Sequence, residues 1–271
     1  MEKFAFIFHP LTLEDMEHLS PVMKYIPDPI IEACLKMKKP FKVSHITGIK
    51  SPYAEAEGWF VGCPLTAKQM MTLPEEFVMD RIIESGKVAQ ELGAKIVGLG
   101  AFTSIVGDAG ITVAKNLDIA VTSGNSYTVA TAIQGTKEAA RMMGKDLREC
   151  RAVVVGATGS IGAASVRLLS KEVKHITLVA RHMGPLEELA QELIEQNHCE
   201  VAVSQDIHAS LKEADIVITV TSALDFLIEP EDLKPGCVVC DVARPRNVSR
   251  EVSLKRNDVL VIEGGIIHVP G

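Results

Sequence analysis

The sequence predicts an α/β protein with a doubly wound domain in its C-terminal half and a smaller α/β domain before it. Three observations support this. Short β-branched runs alternate with helical stretches from Arg151 onward, a glycine-rich turn follows the first run, and prolines divide the first half into short pieces. A length of 271 residues suits two modest cores. We expect an N-terminal substrate domain over residues 1–124, a connecting helix over 125–145 and the doubly wound domain over 146–271.

The first half contains few predictable elements. Residues 4–8 form an apolar run that predicts a first strand, and residues 96–99 predict another. Between them, four apolar residues share one face of a helix that Gly93 can end: Val78, Ile82, Ala89 and Leu92. The run at residues 4–8 is too short for a signal peptide or a membrane span, so we expect a cytoplasmic protein.

A single helix is predicted between the two halves. Asn125 or Ser126 can cap its start, and Gly144 lies past its end. Its buried face repeats at helical spacing through Val129, Ile133, Thr136, Ala140 and Met143. We expect this helix to join the domains and to line the cleft between them.

The second half predicts a regular series of strands and helices. The strands cover residues 153–155, 176–180, 201–204, 216–220, 238–242 and 259–262. The helices cover residues 160–172, residues 185–196 after an opening Pro185, and a short stretch at 207–212. This alternation is typical of a Rossmann domain, in which parallel strands are joined by helices.

The turn after the first of these strands is predicted to hold a dinucleotide pyrophosphate. Side chains there would keep the backbone away from the phosphates, and the amide groups at a helix N-terminus attract anions. The βαβ unit Arg151–Ala180 supplies a strand, a glycine turn and a helix in that order. The predicted phosphate-binding residues are Gly156, Ala157, Thr158, Gly159, Ser160, Ile161 and Gly162.

The end of the second strand predicts NADP(H) as the cofactor. A carboxylate at this position binds a free ribose hydroxyl, whereas a guanidinium pairs with a 2′-phosphate. This chain has Arg181 there, followed by His182. Four further cofactor-binding residues are expected after later strands: Thr221, Ser222, Gly264 and Gly265. The two glycines have a second interpretation, as a simple turn after the sixth strand.

Charge and cysteine content exclude several other classes of function. The formal net charge of −7 opposes broad nucleic-acid binding, which needs a basic surface. Six cysteines are spread through a chain that needs no disulfides, so we expect reduced thiols. Cys237 and Cys240 form a lone CxxC inside a predicted buried strand, and without a second pair we expect packing rather than a metal site.

Five stretches carry a resemblance to one family. They are Gly58–Leu65, Gly100–Val106 (GAFTSIV), Thr122–Thr128 (TSGNSYT), Val153–Gly162 (VVVGATGSIG) and Glu263–Ile267 (EGGII). Together they resemble the long-chain acyl-[acyl-carrier-protein] reductases, which form fatty aldehydes, and related predicted amino acid dehydrogenases and shikimate dehydrogenase-like proteins. The glycine turn occurs in many families, but FTSI and SGNSYT in that order are distinctive. The resemblance spans nearly the whole chain.

This resemblance implies two domains, NADPH as cofactor, and reduction of an acyl thioester through a cysteine-bound acyl group. In those reductases the acylated cysteine follows the GG motif, and no cysteine follows Gly265 here. A family lysine in the loop after the fifth strand is replaced by Arg246. Cys63 lies in a family-like motif and is therefore the candidate nucleophile, although buried cysteines usually only pack.

Several other residues have both a catalytic and a structural interpretation. Thr103, Ser104 and Asn125 lie in loop-like segments where they could orient a carbonyl or the nicotinamide, or simply form turns and caps. Lys115 and Asp108 could transfer a proton or form a solvated pair. The remaining candidates are His9, for structure or catalysis, and a basic run of Lys36, Lys38, Lys39 and Lys42 that could dock an acidic acyl carrier protein or remain solvated.

Three functions remain open from the sequence. The first is an NADPH-dependent reductase of acyl thioesters. The second is a dehydrogenase of a small hydroxy or amino acid that transfers hydride directly, and the third is an NADP-binding module without turnover. A homodimer is expected only from the general frequency of two-fold assemblies.

Overall fold

The computed structural model describes residues 2–13, 15, 24–196, 199–223 and 227–264. The chain divides into two compact units, the first reaching Gly124 and the second beginning at Asn125. The helix predicted to connect the domains is part of the second unit.

The first unit is built on a five-stranded sheet in the order β2-β3-β1-β4-β5. Its strands are β1 (Glu2–Phe8), β2 (Phe41–Lys50), β3 (Glu55–Gly62), β4 (Ile96–Leu99) and β5 (Ala120–Thr122). β2 runs antiparallel to β3, and the other neighbours are parallel. The sequence did not predict β2 and β3. β2 is almost wholly exposed, and the apolar–polar alternation of residues 41–44 does not continue regularly through the rest of the strand.

Helices connect most of the strands of this sheet. They span Asp28–Met37, Ala67–Thr72, Glu75–Glu91 and Ile111–Lys115, with a 3-10 turn at Ala101–Ser104. The Glu75–Glu91 helix packs on β1 and β3 and buries Val78 and Ile82, as their spacing predicts. Gly93 follows with a φ of +90°, a conformation that favours glycine and ends the helix.

The second unit contains a six-stranded, wholly parallel sheet in the order β11-β10-β9-β6-β7-β8. Its strands are β6 (Arg151–Val155), β7 (His175–Val179), β8 (Glu200–Ser204), β9 (Ile216–Thr219), β10 (Val238–Asp241) and β11 (Leu260–Glu263). The chain therefore winds outward from β6 in one direction through β7 and β8, and in the other through β9 to β11. This is the doubly wound order of a Rossmann domain, with its switch point between β6 and β9.

The second unit's helices span Asn125–Met142, Ser160–Leu169, Met183–Gln196, Ile207–Leu211 and Arg250–Lys255. The Met183–Gln196 helix begins two residues before the predicted Pro185, because a first-turn residue needs no amide donor for the helix ladder. The Ser160–Leu169 helix ends three residues before its predicted end. Gly144 follows the Asn125–Met142 helix with a φ of +68°.

The parallel sheet is buried on both faces. Ala152 and Val154 of β6 belong to one apolar cluster, and Val153 and Val155 belong to another. A strand covered on both faces is apolar throughout instead of alternating, which explains why these strands are recognisable as continuous β-branched runs.

Asp215 ties together the amino-terminal edge of this sheet. Its carboxylate accepts hydrogen bonds from Lys145 Nζ at 3.1 Å and from the Arg151 amide at 3.0 Å, and it lies 2.9 Å from Lys234 Nζ. Partial burial opposes ionisation, but these hydrogen bonds outweigh it and lower the pKa of Asp215. The ionised carboxylate therefore stabilises the folded state.

Replacing Asp215 with Asn should lower the unfolding free energy by about 1–3 kcal/mol near neutral pH, because a hydrogen-bonded charge is lost. The lowered pKa means that the wild-type advantage is present above the ordinary pKa of an aspartate and is lost as the pH falls through the folded value. Urea unfolding of both proteins between about pH 5 and about pH 3 should show their difference shrinking. A constant difference would contradict this account.

Candidate nucleotide-binding site

The turn after β6 is shaped by Gly156. This residue has a φ of +87°, which side-chain-bearing residues rarely adopt. A Cβ at Gly156 would lie 3.0 Å from the Val220 carbonyl oxygen and 3.2 Å from Thr221 Cγ2. The amide groups of Gly156 and Ala157 bond to the Val179 carbonyl, at 2.8 and 3.1 Å. The turn is thereby fixed to β7 on one side and to the segment after β9 on the other.

Gly162 completes the turn from within the first coil of the following helix. A Cβ there would overlap the Gly156 carbonyl oxygen, which is backbone and cannot move aside. Gly159 is less constrained, because a Cβ on it would lie 3.4 Å from the same oxygen, and its own amide bonds to that oxygen at 3.1 Å. Thr158, Gly159 and Ser160 are exposed. The glycines thus leave an accessible rim of backbone.

This rim lies where a doubly wound sheet binds its ligands. It follows the carboxyl end of β6, beside the carboxyl end of β9, at the switch point of the strand order. The Ser160–Leu169 helix directs its N-terminus to the rim, and its first-turn amides have no partner within the helix. Such amides, with the helix dipole, favour a diphosphate. The cradle that a Cβ would fill therefore fits a dinucleotide.

Asn125 is brought to this turn by the fold. Its Nδ2 donates a 2.7 Å hydrogen bond to the Ser160 hydroxyl. The helix that begins at Asn125 packs against the helix that begins at Ser160. Both residues are site candidates from the sequence, but no local pattern indicates that they meet.

Arg181 and His182 lie just beyond the end of β7, and both are exposed. The Arg181 backbone carbonyl accepts a hydrogen bond from Gln205 Nε2 at 2.5 Å. The backbone at this position is therefore anchored, while the guanidinium is accessible at the same edge of the sheet as the glycine turn.

The segments after β9 and β11 contain the other predicted cofactor residues. Thr221 and Ser222 are half-buried and follow β9 beside Gly156. Gly264 follows β11, and a Cβ there would overlap Cys240 Sγ and Val242 Cγ2, so packing on β10 already requires a glycine. Gly265 lies outside the described residues.

Comparison with known proteins agrees with this geometry. The family described as shikimate / quinate 5-dehydrogenase matches residues 137–263, which include the parallel sheet and the glycine turn. The match covers slightly less than half of the chain, and we call residues 137–263 the dehydrogenase-family domain after it. The match therefore includes all six parallel strands and the predicted nucleotide turn.

Longer relatives match more of the chain than the family does. The aminotransferase PigE from Serratia sp. is 32% identical over 228 residues, covering 83% of this chain and 26% of the relative. A long-chain acyl-[acyl-carrier-protein] reductase from Synechococcus elongatus is 29% identical over 205 residues, covering 69% of this chain and 56% of the relative. The chain therefore spans about a quarter and about half of these two proteins. A solved shikimate 5-dehydrogenase from Listeria monocytogenes aligns over 97% of this chain and 86% of its own, with 15% identity and a TM-score of 0.42.

The dehydrogenase-family domain also contains a buried polar cluster that the sequence did not predict. Asp241, at the end of β10, accepts hydrogen bonds from the amides of Ala243, Asn247 and Val248 at 3.0 to 3.1 Å. Burial raises the pKa of Asp241, and these amides partly offset the effect. The one sequence feature that could have indicated this cluster is an aspartate at the end of an apolar strand.

Cys63 lies in the first unit, directly after β3, and its side chain is wholly buried. Burial raises the pKa of its thiol to about 12, although a hydrogen bond with Ser85 acts in the opposite direction. A nucleophilic cysteine needs a lowered pKa and access to its substrate. This environment therefore argues against Cys63 as a nucleophile.

The hydroxyl groups of the first unit are engaged locally. Thr103 Oγ1 donates to the Gly100 carbonyl at 2.7 Å, and Ser104 Oγ donates to the Ala101 carbonyl at 2.8 Å. Ser104 is half-buried, whereas Thr103 is fully buried. These bonds stabilise the 3-10 turn. Both hydroxyl protons are used, so only the Ser104 oxygen is left to accept a further hydrogen bond.

Asp108 and Lys115 do not form the close pair that proton transfer would need. The Asp108 carboxylate accepts hydrogen bonds from the Thr112 amide and hydroxyl, at 2.9 and 2.7 Å. These bonds are the main reason that the pKa of Asp108 is lowered. The carboxylate therefore stabilises the first turn of the Ile111–Lys115 helix, and Lys115 is exposed at the helix end.

Both ring nitrogens of His9 form hydrogen bonds to the backbone of the first unit. Its Nδ1 bonds to the Pro10 carbonyl at 2.9 Å, and its Nε2 lies 3.1 Å from the Phe102 amide. Nε2 must accept that proton, so the ring is neutral with its own proton on Nδ1. Burial lowers the pKa of His9, which agrees with the neutral form.

Two surface cavities lie away from the nucleotide turn. One of about 830 Å³ borders the Asn125–Met142 helix and residues 145–148, which precede β6 and so lie toward the opposite edge of the sheet. The other, of about 600 Å³, is in the first unit and is bordered by Glu75, Glu76, Asp80 and Asp108. Across the described part of the chain, we find no cluster of three metal-ligating side chains and no helix able to span a bilayer.

Replacing Gly162 with Ala should weaken dinucleotide binding about tenfold or more, because the added methyl group forces the helix away from the Gly156 carbonyl, at a cost of about 1–3 kcal/mol. Gly184→Ala is the matched control, since a Cβ at Gly184 meets no atom within 4 Å. Cofactor fluorescence titration gives both dissociation constants. Equal affinities for the two variants would contradict the dependence of dinucleotide binding on the close contact at Gly162.

Proposed function

We propose that this chain is an NADPH-dependent reductase that acts on an acyl thioester. The observation that carries the proposal is the glycine turn at the switch point, where Gly156 and Gly162 leave backbone amides open to a diphosphate. Bound there, NADPH supplies the hydride. The family of the domain and the reductases among its relatives support an oxidoreductase.

Arg181 supports NADPH as the cofactor over NADH. Its exposed guanidinium follows β7, where the adenosine ribose of a dinucleotide lies in a doubly wound domain. A planar guanidinium can bind a 2′-phosphate through two hydrogen bonds, and no carboxylate stands at residues 180–183 to favour a free ribose hydroxyl.

The thioester substrate is proposed from similarity. The relatives include a long-chain acyl-[acyl-carrier-protein] reductase and glutamyl-tRNA reductases, so the matched region recurs in proteins named for reduction of carrier-bound acids. Reduction of a thioester by one hydride and one proton releases an aldehyde and a thiol. An acidic acyl carrier protein would suit the basic run at residues 36–42, where Lys36 and Lys38 lie over the rings of Phe77 and Phe41 and stay exposed.

A second candidate rests on the family match and, like direct reduction of a thioester, fits the state of the cysteines. All six cysteines are described and free, and Cys63 is buried with a pKa of about 12. A dehydrogenase that passes hydride directly to or from a small hydroxy or amino acid needs no thiolate. The match of residues 137–263 to the shikimate / quinate 5-dehydrogenase family also supports this alternative.

Replacing Arg181 with Asp should weaken NADPH binding by at least about tenfold, because a charge-assisted pair becomes a repulsion, and should change NADH binding far less. Dissociation constants for both cofactors, measured by titration of the wild type and the variant, give the comparison. Equal losses for NADPH and NADH would remove the assignment of Arg181 to the 2′-phosphate.

A turnover assay separates the two candidate reactions. We expect NADPH and a long-chain acyl-CoA to give aldehyde with one NADPH oxidised for each aldehyde formed. Intact-protein mass spectrometry during turnover should show no acyl adduct on Cys63, and Cys63→Ala should retain activity. If acyl-CoA is inert while NADP⁺ is reduced by a small hydroxy or amino acid, the second candidate replaces the first.

A further inference from the structure

Asn247 lies in the loop after β10, is fully buried, and bonds to the end of β9 and to the segment that follows it. Its side-chain Oδ1 accepts hydrogen bonds from the hydroxyl groups of Thr219 and Thr221, each at 2.8 Å. The Thr221 amide lies 3.4 Å from the same oxygen. One amide oxygen therefore holds the end of β9 and the first part of the segment that follows it.

The backbone of Asn247 is itself fixed. Its amide donates to the Asp241 carboxylate at 3.0 Å. Its carbonyl accepts hydrogen bonds from the amides of Leu227 and Ile228, at 2.8 and 3.1 Å. The Asn247 backbone is therefore tied to the end of β10 and to Leu227 and Ile228.

Thr221 connects this cluster to the nucleotide turn. Its Cγ2 and the Val220 carbonyl fill the space beside Gly156 that a side chain there would need. The Thr221 hydroxyl, which donates to Asn247, also accepts the Ala223 amide at 3.2 Å. The position of this hydroxyl thus determines both how closely the segment approaches Gly156 and the path of residues 221–223.

We propose that Asn247 is a positioning residue that holds residues 221–223 against the glycine turn, so that this segment can bind the dinucleotide beyond its diphosphate. The inference deepens the proposed function and rests on it. Asn247 does not touch the cofactor in this account; it acts through Thr221. The Nδ2 of Asn247 has no hydrogen-bond partner within the described residues, so the oxygen is the atom that the buried amide contributes.

Thr219 provides an internal control. Its hydroxyl bonds to the same oxygen at the same distance, but Thr219 is the last residue of β9 and does not belong to the segment beside Gly156. A purely structural role for Asn247 predicts equal consequences for losing either threonine hydroxyl. A positioning role predicts that only the loss at Thr221 weakens cofactor binding.

The test compares Thr221→Val and Thr219→Val, which keep the side-chain shape and remove one hydroxyl each. We expect both to lower Tm, Thr221→Val to weaken NADPH binding about tenfold, and Thr219→Val to leave it within about twofold. Asn247→Leu should weaken binding at least as much as Thr221→Val, and Thr221→Ser, which restores the hydroxyl, should recover most of the affinity. Binding is measured well below the Tm of every variant.

Hydrogen exchange gives a readout that needs no cofactor. Amides of residues 221–223 should exchange faster in Thr221→Val and Asn247→Leu than in the wild type and Thr219→Val. If the wild type binds NADPH but Thr221→Val and Thr219→Val bind it equally well, the positioning role is overturned while the proposed function stands. If the wild type binds neither NADPH nor NADH, both fail together.

Discussion

The dehydrogenase-family domain depends on the close approach of three backbone segments around Gly156. The start of the Ser160–Leu169 helix, the end of β6 and the segment after β9 meet there, with the Val220 carbonyl and Thr221 Cγ2 directly beside Gly156. Gly162 faces the Gly156 carbonyl, and Gly156 faces the Val220 carbonyl. Because backbone atoms occupy these spaces, the geometry that exposes the helix N-terminus is set by packing before any ligand arrives.

The parallel sheet was predictable from the sequence for a physical reason. β6, β9 and β10 are buried, so they are nearly continuous apolar runs that local inspection detects, and glycines or polar residues separate the runs. The glycine turn was predictable because its requirement is also local: strand, glycines and helix follow one another within a short stretch. The positions of Gly93 and Gly144 were recognisable as helix ends for the same reason.

Features that depend on tertiary contacts were not predictable in this way. β2 pairs through its backbone while its side chains stay exposed, so its sequence gives little sign of a strand. The sequence motif made Cys63 a candidate nucleophile, but the fold buries its thiol and thereby raises the pKa. The motif itself carries no information about this burial. The bond between Asn125 and Ser160, and the cluster around Asn247, join residues far apart in the chain. Such pairings arise only when the chain folds, so no local sequence pattern predicts them.

The edges of the first unit's sheet have a consequence for solubility. An unpaired strand edge offers open amide and carbonyl groups to any other extended chain, and long flat edges promote aggregation. β2 breaks its register with β3 at two places, between Lys42 and Ser44 and between Ile46 and Ile49, and Gly48 there has a φ of +80°. β5, at the other edge, is only three residues long. Neither edge gives a foreign strand a long straight ladder to extend, so this exposed sheet is poorly suited to templating fibrils.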